Sequence, residues 1–266
     1  MVAANANTST AFQRCHPKTA QWEGGWSNHK DDPGGPTMGG VTQPVFDEFN
    51  DRHGRPRRPV AAITRLEAER LFFEQFWLKA GCDSLFPGVD LATYDAAVNS
   101  GVSRGRKWLL ASLDPANDHA KTVKNICSKR LGFVQTLKIW QTFGKGWSNR
   151  IADIEATGVA WALAAMSASD KARVVTALRD EQDSARKIAA NQTKGAATSG
   201  VSGTGAGAGL TVDPAHIDQA AAWLLGGLMV AGLLLGGYLL VRVIINRQRA
   251  HAYDRAAESA VLTGAV

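Results

Sequence analysis

Between Glu23 and Thr42 the chain reads EGGWSNHKDDPGGPTMGGVT, six glycines and two prolines in one short stretch. Both residue types interrupt helices and strands, so this segment is a shaped loop or a tight hairpin between regular elements. A lone glutamate opens it, and Asp31, Asp32 and Thr37 follow within it. Everything else in the fold has to be arranged around that loop.

The sequence up to Lys194 reads as helical. Thr64-Arg65-Leu66-Glu67 has the form of a capping box, a side-chain acceptor at the helix entrance answered by a glutamate three residues on. Behind it Leu71, Phe72, Phe76 and Leu78 recur at three-to-four spacing. Segments 89–113, 117–143, 151–166 and 170–190 repeat the pattern, with Gly101 and Gly105 dividing the first of them. Only 26–46 has room for short strands. The expected fold is mainly α, with a short β-hairpin or loop region after Glu23.

Beyond Lys194 the composition changes twice. Gly195 to Gly209 is rich in Gly, Ala, Ser and Thr and carries no charge, which predicts a flexible tether. Ala220 to Val241 contains 22 uncharged residues, AAAWLLGGLMVAGLLLGGYLLV. A helix of that length spans about 33 Å, enough for a bilayer core. Trp223 and Tyr238 near its ends strengthen the expectation of a membrane span, and Gly232 and Gly236 make a GxxxG pair suited to helix self-association. The arginines after the span would hold the tail inside, placing the N-terminal domain on the outer face of the membrane.

The formal charge of +6 favours anionic partners: nucleic acid, anionic lipid or an acidic wall polymer. Nucleic acid is set aside, because the basic residues are scattered and form no reader motif. Cys15, Cys82 and Cys127 include no CxxC pair, so neither a zinc site nor a disulfide framework is expected. The opening residues MVAANANTSTAFQRC have neither a basic start nor an apolar core, and so predict no secretory signal.

One chemistry suits a solitary glutamate followed by turn-forming polar residues: hydrolysis of a glycosidic bond. A carboxylic acid protonates the leaving oxygen, and a second carboxylate activates water or stabilises oxocarbenium-like charge. Glu23 is the candidate acid, with Trp22 and Trp26 beside it as an apolar wall. Asp32 and Asp31 are the candidates for the second role. Spacing alone does not distinguish this from a solvated carboxylate in a turn.

The loop as a whole resembles the signature of glycoside hydrolase family 108, peptidoglycan-cleaving N-acetylmuramidases. Glu23-Gly24-Gly25-Trp26, Asp32-Pro33-Gly34-Gly35 and Thr37-Met38-Gly39-Gly40-Val41-Thr42 carry the likeness. Tyr94 to Gly101, YDAAVNSG, is similar to the family's helix ending in V-N-x-G. Gly146-Trp147-Ser148-Asn149-Arg150 is similar to the G-W-x-N-R that opens a helix in its peptidoglycan-binding C-terminal half.

The resemblance implies a lysozyme-like catalytic domain over 12–115 and a helical, wall-binding half over 116–194. A linker over 195–219, a transmembrane helix over 220–245 and a basic tail over 246–266 would follow. It further implies that Glu23 is the catalytic acid. Phage-type lysozymes, which the loop also resembles, place an aspartate and a threonine after it, here Asp32 and Thr37. Asp31 would fit the threonine spacing better and remains the alternative. Trp26, His29, Asp31 and Asn99 are the candidate substrate contacts. The implied activity is that of an endolysin cutting glycan strands with two carboxylates and water, without metal or organic cofactor. With the span read from the uncharged run, it would sit in the bacterial inner membrane with its catalytic domain facing the wall. A lytic transglycosylase, or a wall-binding protein without catalysis, would be the alternatives.

Overall fold

The computed structural model describes residues 9–27, 35–166, 171–205 and 219–262, with side chains described for 9–27, 35–166, 172–196 and 235–262. His29, Asp31 and Asp32 therefore lie outside the described residues. The chain forms two compact units, Met1–Lys171 and Ala172–Gly264.

The first unit begins with α1 (Thr10–Ala20), capped by the Ser9 hydroxyl, which accepts from the Phe12 amide. Trp22 N and Glu23 N then bond back to the carbonyls of Thr19 and Ala20, closing the helix in a turn. Three two-residue strands follow, β1 (Trp26–Ser27), β2 (Thr37–Met38) and β3 (Val41–Thr42), in one antiparallel sheet of that order. Trp26 pairs with Met38, and Met38 with Val41. The strands fall within the one region of the sequence with room for them.

Next come α2 (Gln43–Arg52) and α3 (Arg65–Phe72). The capping box is present in full: Glu67 N donates to Thr64 Oγ1, and Glu67 Oε2 accepts from Thr64 N at 2.9 Å. Past Phe72 the helix widens into a π-helical turn over Phe73–Leu78. The extra residue per turn shifts the apolar face, so Trp77 is buried and Leu78 is 47% exposed. The three-to-four spacing read Leu78 as inward because it assumes an uninterrupted α-helix.

The centre of the unit is α4 (Val89–Ser100), where every residue from Val89 to Ala97 is buried. A helix covered on all sides needs close neighbours, and small residues allow them. Gly105 of α5 (Val102–Leu110) lies where a Cβ would meet the backbone of Ala97 at 3.0 Å. Gly101, at φ +92°, separates the two helices. Gly105 is accommodated inside α5 rather than breaking it. Helices α6 (His119–Gln135) and α7 (Trp140–Met166) pack on each other and on α4.

The second unit is built from two helices, α8 (Lys171–Gly205) and α9 (Gln219–Leu262). Helix α8 continues through 195–205, and the remainder of the sequence-predicted linker, 206–218, lies outside the described residues. The expected transmembrane helix is corrected here. The uncharged run is not a separate span but the first half of a 44-residue helix. At 1.5 Å per residue that helix is about 66 Å long, roughly twice a bilayer core. It proceeds without a break past Arg242, Arg247, Arg249, Asp254, Arg255 and Glu258.

Its described portion packs on α8. Asn246 Nδ2 donates to Gln192 Oε1 at 3.0 Å, Arg186 lies 3.8 Å from Asp254, and Leu239 lies against Gly195. Among the described residues no helix is long and apolar enough to cross a membrane. The expected single-pass anchor, the inner-membrane location derived from it and the wall-facing orientation are withdrawn with it. Hydropathy counts residues without seeing that they continue into a charged, packed helix.

Candidate active site

Glu23 stands just past the C-terminal turn of α1, and two elements hold it from opposite sides. Arg150 of α7 donates from Nη2 to Glu23 Oε1 at 2.7 Å. The other oxygen lies over Gly40, at the β2–β3 turn, where a Cβ would come within 2.5 Å of Oε2. Gly40 has φ +79°, a conformation in which glycine is favoured for its lack of a side chain. Gly39 N also donates to Gly25 O at 3.2 Å, tying the EGG segment to the same turn. The Glu23 side chain keeps 17% of its surface open, partly desolvated yet reachable.

Arg150 is itself fixed by Asp95 of α4. Its Nε donates to both Asp95 oxygens at 3.1 Å, and Nη2 donates to Oδ1 at 2.8 Å. Asp95 is fully buried and also takes Arg130 Nη1 from α6. Burial alone would push the Asp95 carboxyl up, but Arg130 and Arg150 together hold it below the usual carboxylate range. Burial likewise works against the Arg150 charge, and Asp95 and Glu23 outweigh it, so the guanidinium is held more firmly protonated. Arg130 Nη2 then donates to Asn99 Oδ1 at 3.0 Å. The chain Glu23–Arg150–Asp95–Arg130–Asn99 thus joins α1, α4, α6 and α7 into one support for the loop glutamate.

A second set of contacts pins the same end of α1 to α7. Trp22 Nε1 and Gln21 Nε2 both donate to Asp153 Oδ2, at 3.1 and 2.9 Å. Asp153 is three residues past Arg150 and so shares its helix face. The Trp22 indole N–H is thereby committed to α7 rather than left free at an apolar wall beside Glu23.

The other sequence-predicted site residues fall as follows. Trp26, on β1, is 50% exposed. Thr37 lies on β2, and its hydroxyl donates to Gly35 O at 3.0 Å. Asn99 is held by Arg130 within the supporting chain. Asp95, one helical turn before it, could by its spacing either line a cleft or brace the loop; it is internal and braces Glu23 through Arg150.

Arg150 and Arg130 are the residues that the sequence reading missed. Arg150 was visible only as the last letter of GWSNR, read there as the opening of a helix. In the fold α7 starts at Trp140, so that motif lies inside the helix and its arginine points at the glutamate. Among the described residues no group of three or more His, Cys, Asp or Glu side chains is placed to hold a metal ion.

A helical unit presenting one anchored, part-buried carboxyl beside a glycine-rich hairpin suits the hydrolysis of a glycosidic bond. Residues 16–101 match the family Glycosyl hydrolase 108. The matched segment holds Glu23, the hairpin and α4; both arginines lie beyond its end. The solved structure of Brucella abortus SagA is similar over 57% of this chain and 95% of that one, at 29% identity and a TM-score of 0.49. No curated protein matches.

Proposed function

We propose that this glycoside hydrolase is an N-acetylmuramidase that cuts the β-1,4 bond between N-acetylmuramic acid and N-acetylglucosamine in peptidoglycan. The observation that carries the proposal is the seating of Glu23, one oxygen on Arg150 and the other against Gly40 at the hairpin turn. The match of residues 16–101 to Glycosyl hydrolase 108 supports the bond type, and the excess of positive charge suits a polyanionic wall.

In this reading Glu23 gives its proton to the glycosidic oxygen as the bond to the sugar breaks. Asp32 is the second carboxylate, either activating the attacking water or stabilising the oxocarbenium-like charge, with Asp31 as the alternative. Thr37 holds the water through its hydroxyl. Trp26, His29 and Asn99 meet the sugar chain. Arg150 acts through Glu23, fixing its orientation rather than touching the reacting atoms.

The test is mass spectrometry of fragments released from purified peptidoglycan. Reducing N-acetylmuramic ends are expected. Anhydro-muramic ends would replace the proposal with a lytic transglycosylase, and no release of fragments would leave a wall-binding protein.

A further inference from the structure

The first two turns of α7 carry aromatic side chains that the catalytic site does not use. Trp140, Phe143 and Trp147 are spaced at i, i+3 and i+7, which puts them on one face of the helix. They do not form a core. Phe143 is 51% exposed, as is Ile139 just before the helix, and Trp147 is partly exposed. Phe143 and Trp147 have ring centroids 5.7 Å apart and planes inclined by 31°; Trp140 and Trp147 are 6.4 Å apart and inclined by 39°. Trp147 is therefore closer to parallel than to edge-on with each of the other two rings.

Gly144 makes part of this arrangement possible. A Cβ there would come within 2.6 Å of the Trp140 ring, so the indole lies directly on the helix backbone. A contiguous exposed apolar patch on a folded unit marks a surface for a ligand or partner.

The occupant follows from where the stripe leads. Arg150, which holds Glu23, is three residues past Trp147 and seven past Phe143 on the same helix. At 1.5 Å per residue Phe143 lies about 10 Å, and Trp140 about 15 Å, along the axis from Arg150. The aromatic face thus runs continuously into the support of the catalytic acid. We propose that Trp140, Phe143 and Trp147 form a platform on which the glycan strand stacks the apolar faces of its sugar rings as it extends from the scissile bond. The proposal rests on the muramidase reading and deepens it. The platform is longer than one sugar ring, so its ligand is a strand and not a monosaccharide.

The full chain is tested with Phe143→Ala and Trp147→Ala, each made alone and in the Glu23→Gln background. In the inactive background, cosedimentation with purified peptidoglycan measures binding. Each truncation is expected to weaken it by about 3–10-fold, the scale of one aromatic stacking contact. In the active background KM on long glycan strands should rise with kcat little changed. Oligosaccharides that span only the scissile bond should be cut as by wild type. Phe143→Tyr, which keeps the ring, should restore binding, whereas a merely structural role would instead show as a lowered melting temperature in Phe143→Ala. Unchanged binding and KM in both truncations, with wild-type cutting intact, would overturn the platform alone. Absence of both binding and cutting in wild type would overturn the platform and the muramidase reading together.

Discussion

Gly40 and Glu23 are in contact across the hairpin: a Cβ at Gly40 would meet Oε2 at 2.5 Å and Cδ at 3.1 Å. The glycine therefore serves two physical needs, a left-handed backbone at φ +79° and room for the carboxyl. Gly40→Ala should cost about 1–3 kcal/mol in backbone strain. It should also push Glu23 aside, and a misplacement near 1 Å is worth about 10²-fold in rate. The expected result is a folded protein with a modestly lower melting temperature and a disproportionate fall in kcat. Equal rates for Gly40→Ala and wild type would show that the contact does not position the acid.

Arg150 holds two carboxylates at once, Asp95 fully buried and Glu23 partly so. Arg150→Met leaves Asp95 with Arg130 as its remaining ion-pair partner, and breaking such a buried pair typically costs about 3–5 kcal/mol. Denaturant unfolding should show that loss. Arg150→Lys keeps the charge but lacks the planar fork that reaches Asp95 and Glu23 together. It should recover much of the stability and little of the activity. Full recovery of turnover by lysine would mean that charge alone suffices at this position.

Much of the local structure was legible in the sequence because its causes are local. The capping box at Thr64, the glycine break at Gly101 and the short strands after Glu23 each follow from residues a few positions apart. The seating of Glu23 was not, because Arg150, Asp95 and Arg130 come together only when α4, α6 and α7 pack. The GWSNR motif carried the arginine, but nothing near it in sequence says that it faces α1. The shift that buries Trp77 and exposes Leu78 depends on a single widened turn. In α9 the error had a different source: an uncharged run was read as a complete helix, whereas the fold continues it through a charged half packed on α8.

The second carboxylate and its water are tested by substitution. Asp32→Asn should lower the rate far more than Asp31→Asn, and Thr37→Ala should give an intermediate loss, measured on the same purified peptidoglycan. Small, equal effects of both asparagine variants would reduce the two aspartates to turn residues.

His16 gives the unit a dependence on pH. Its ring stacks on Phe12 at 4.9 Å, and its Nδ1 shares a hydrogen bond of 2.8 Å with Tyr94 Oη. Burial disfavours the imidazolium and lowers the pKa from its ordinary 6.5. The unfolded chain therefore takes up the proton first as the solution is acidified. The contribution of neutral His16 is complete above about pH 6.5 and is lost as pH falls through the lower, folded value. The melting temperature of wild type should drop more steeply between pH 7.5 and 5.5 than that of His16→Gln, which has no proton to gain. Parallel curves for the two proteins would remove His16 as the cause.

The central claim is that Glu23 is the proton donor. Glu23→Gln preserves the size of the side chain and a carbonyl oxygen for Arg150, and removes the proton to be transferred. General acid catalysis is worth about 10²–10⁴-fold. Release of reducing ends from purified peptidoglycan by Glu23→Gln should fall by at least that factor, at unchanged melting temperature and with binding to the insoluble substrate retained. Turnover by Glu23→Gln at a rate near wild type would contradict the account.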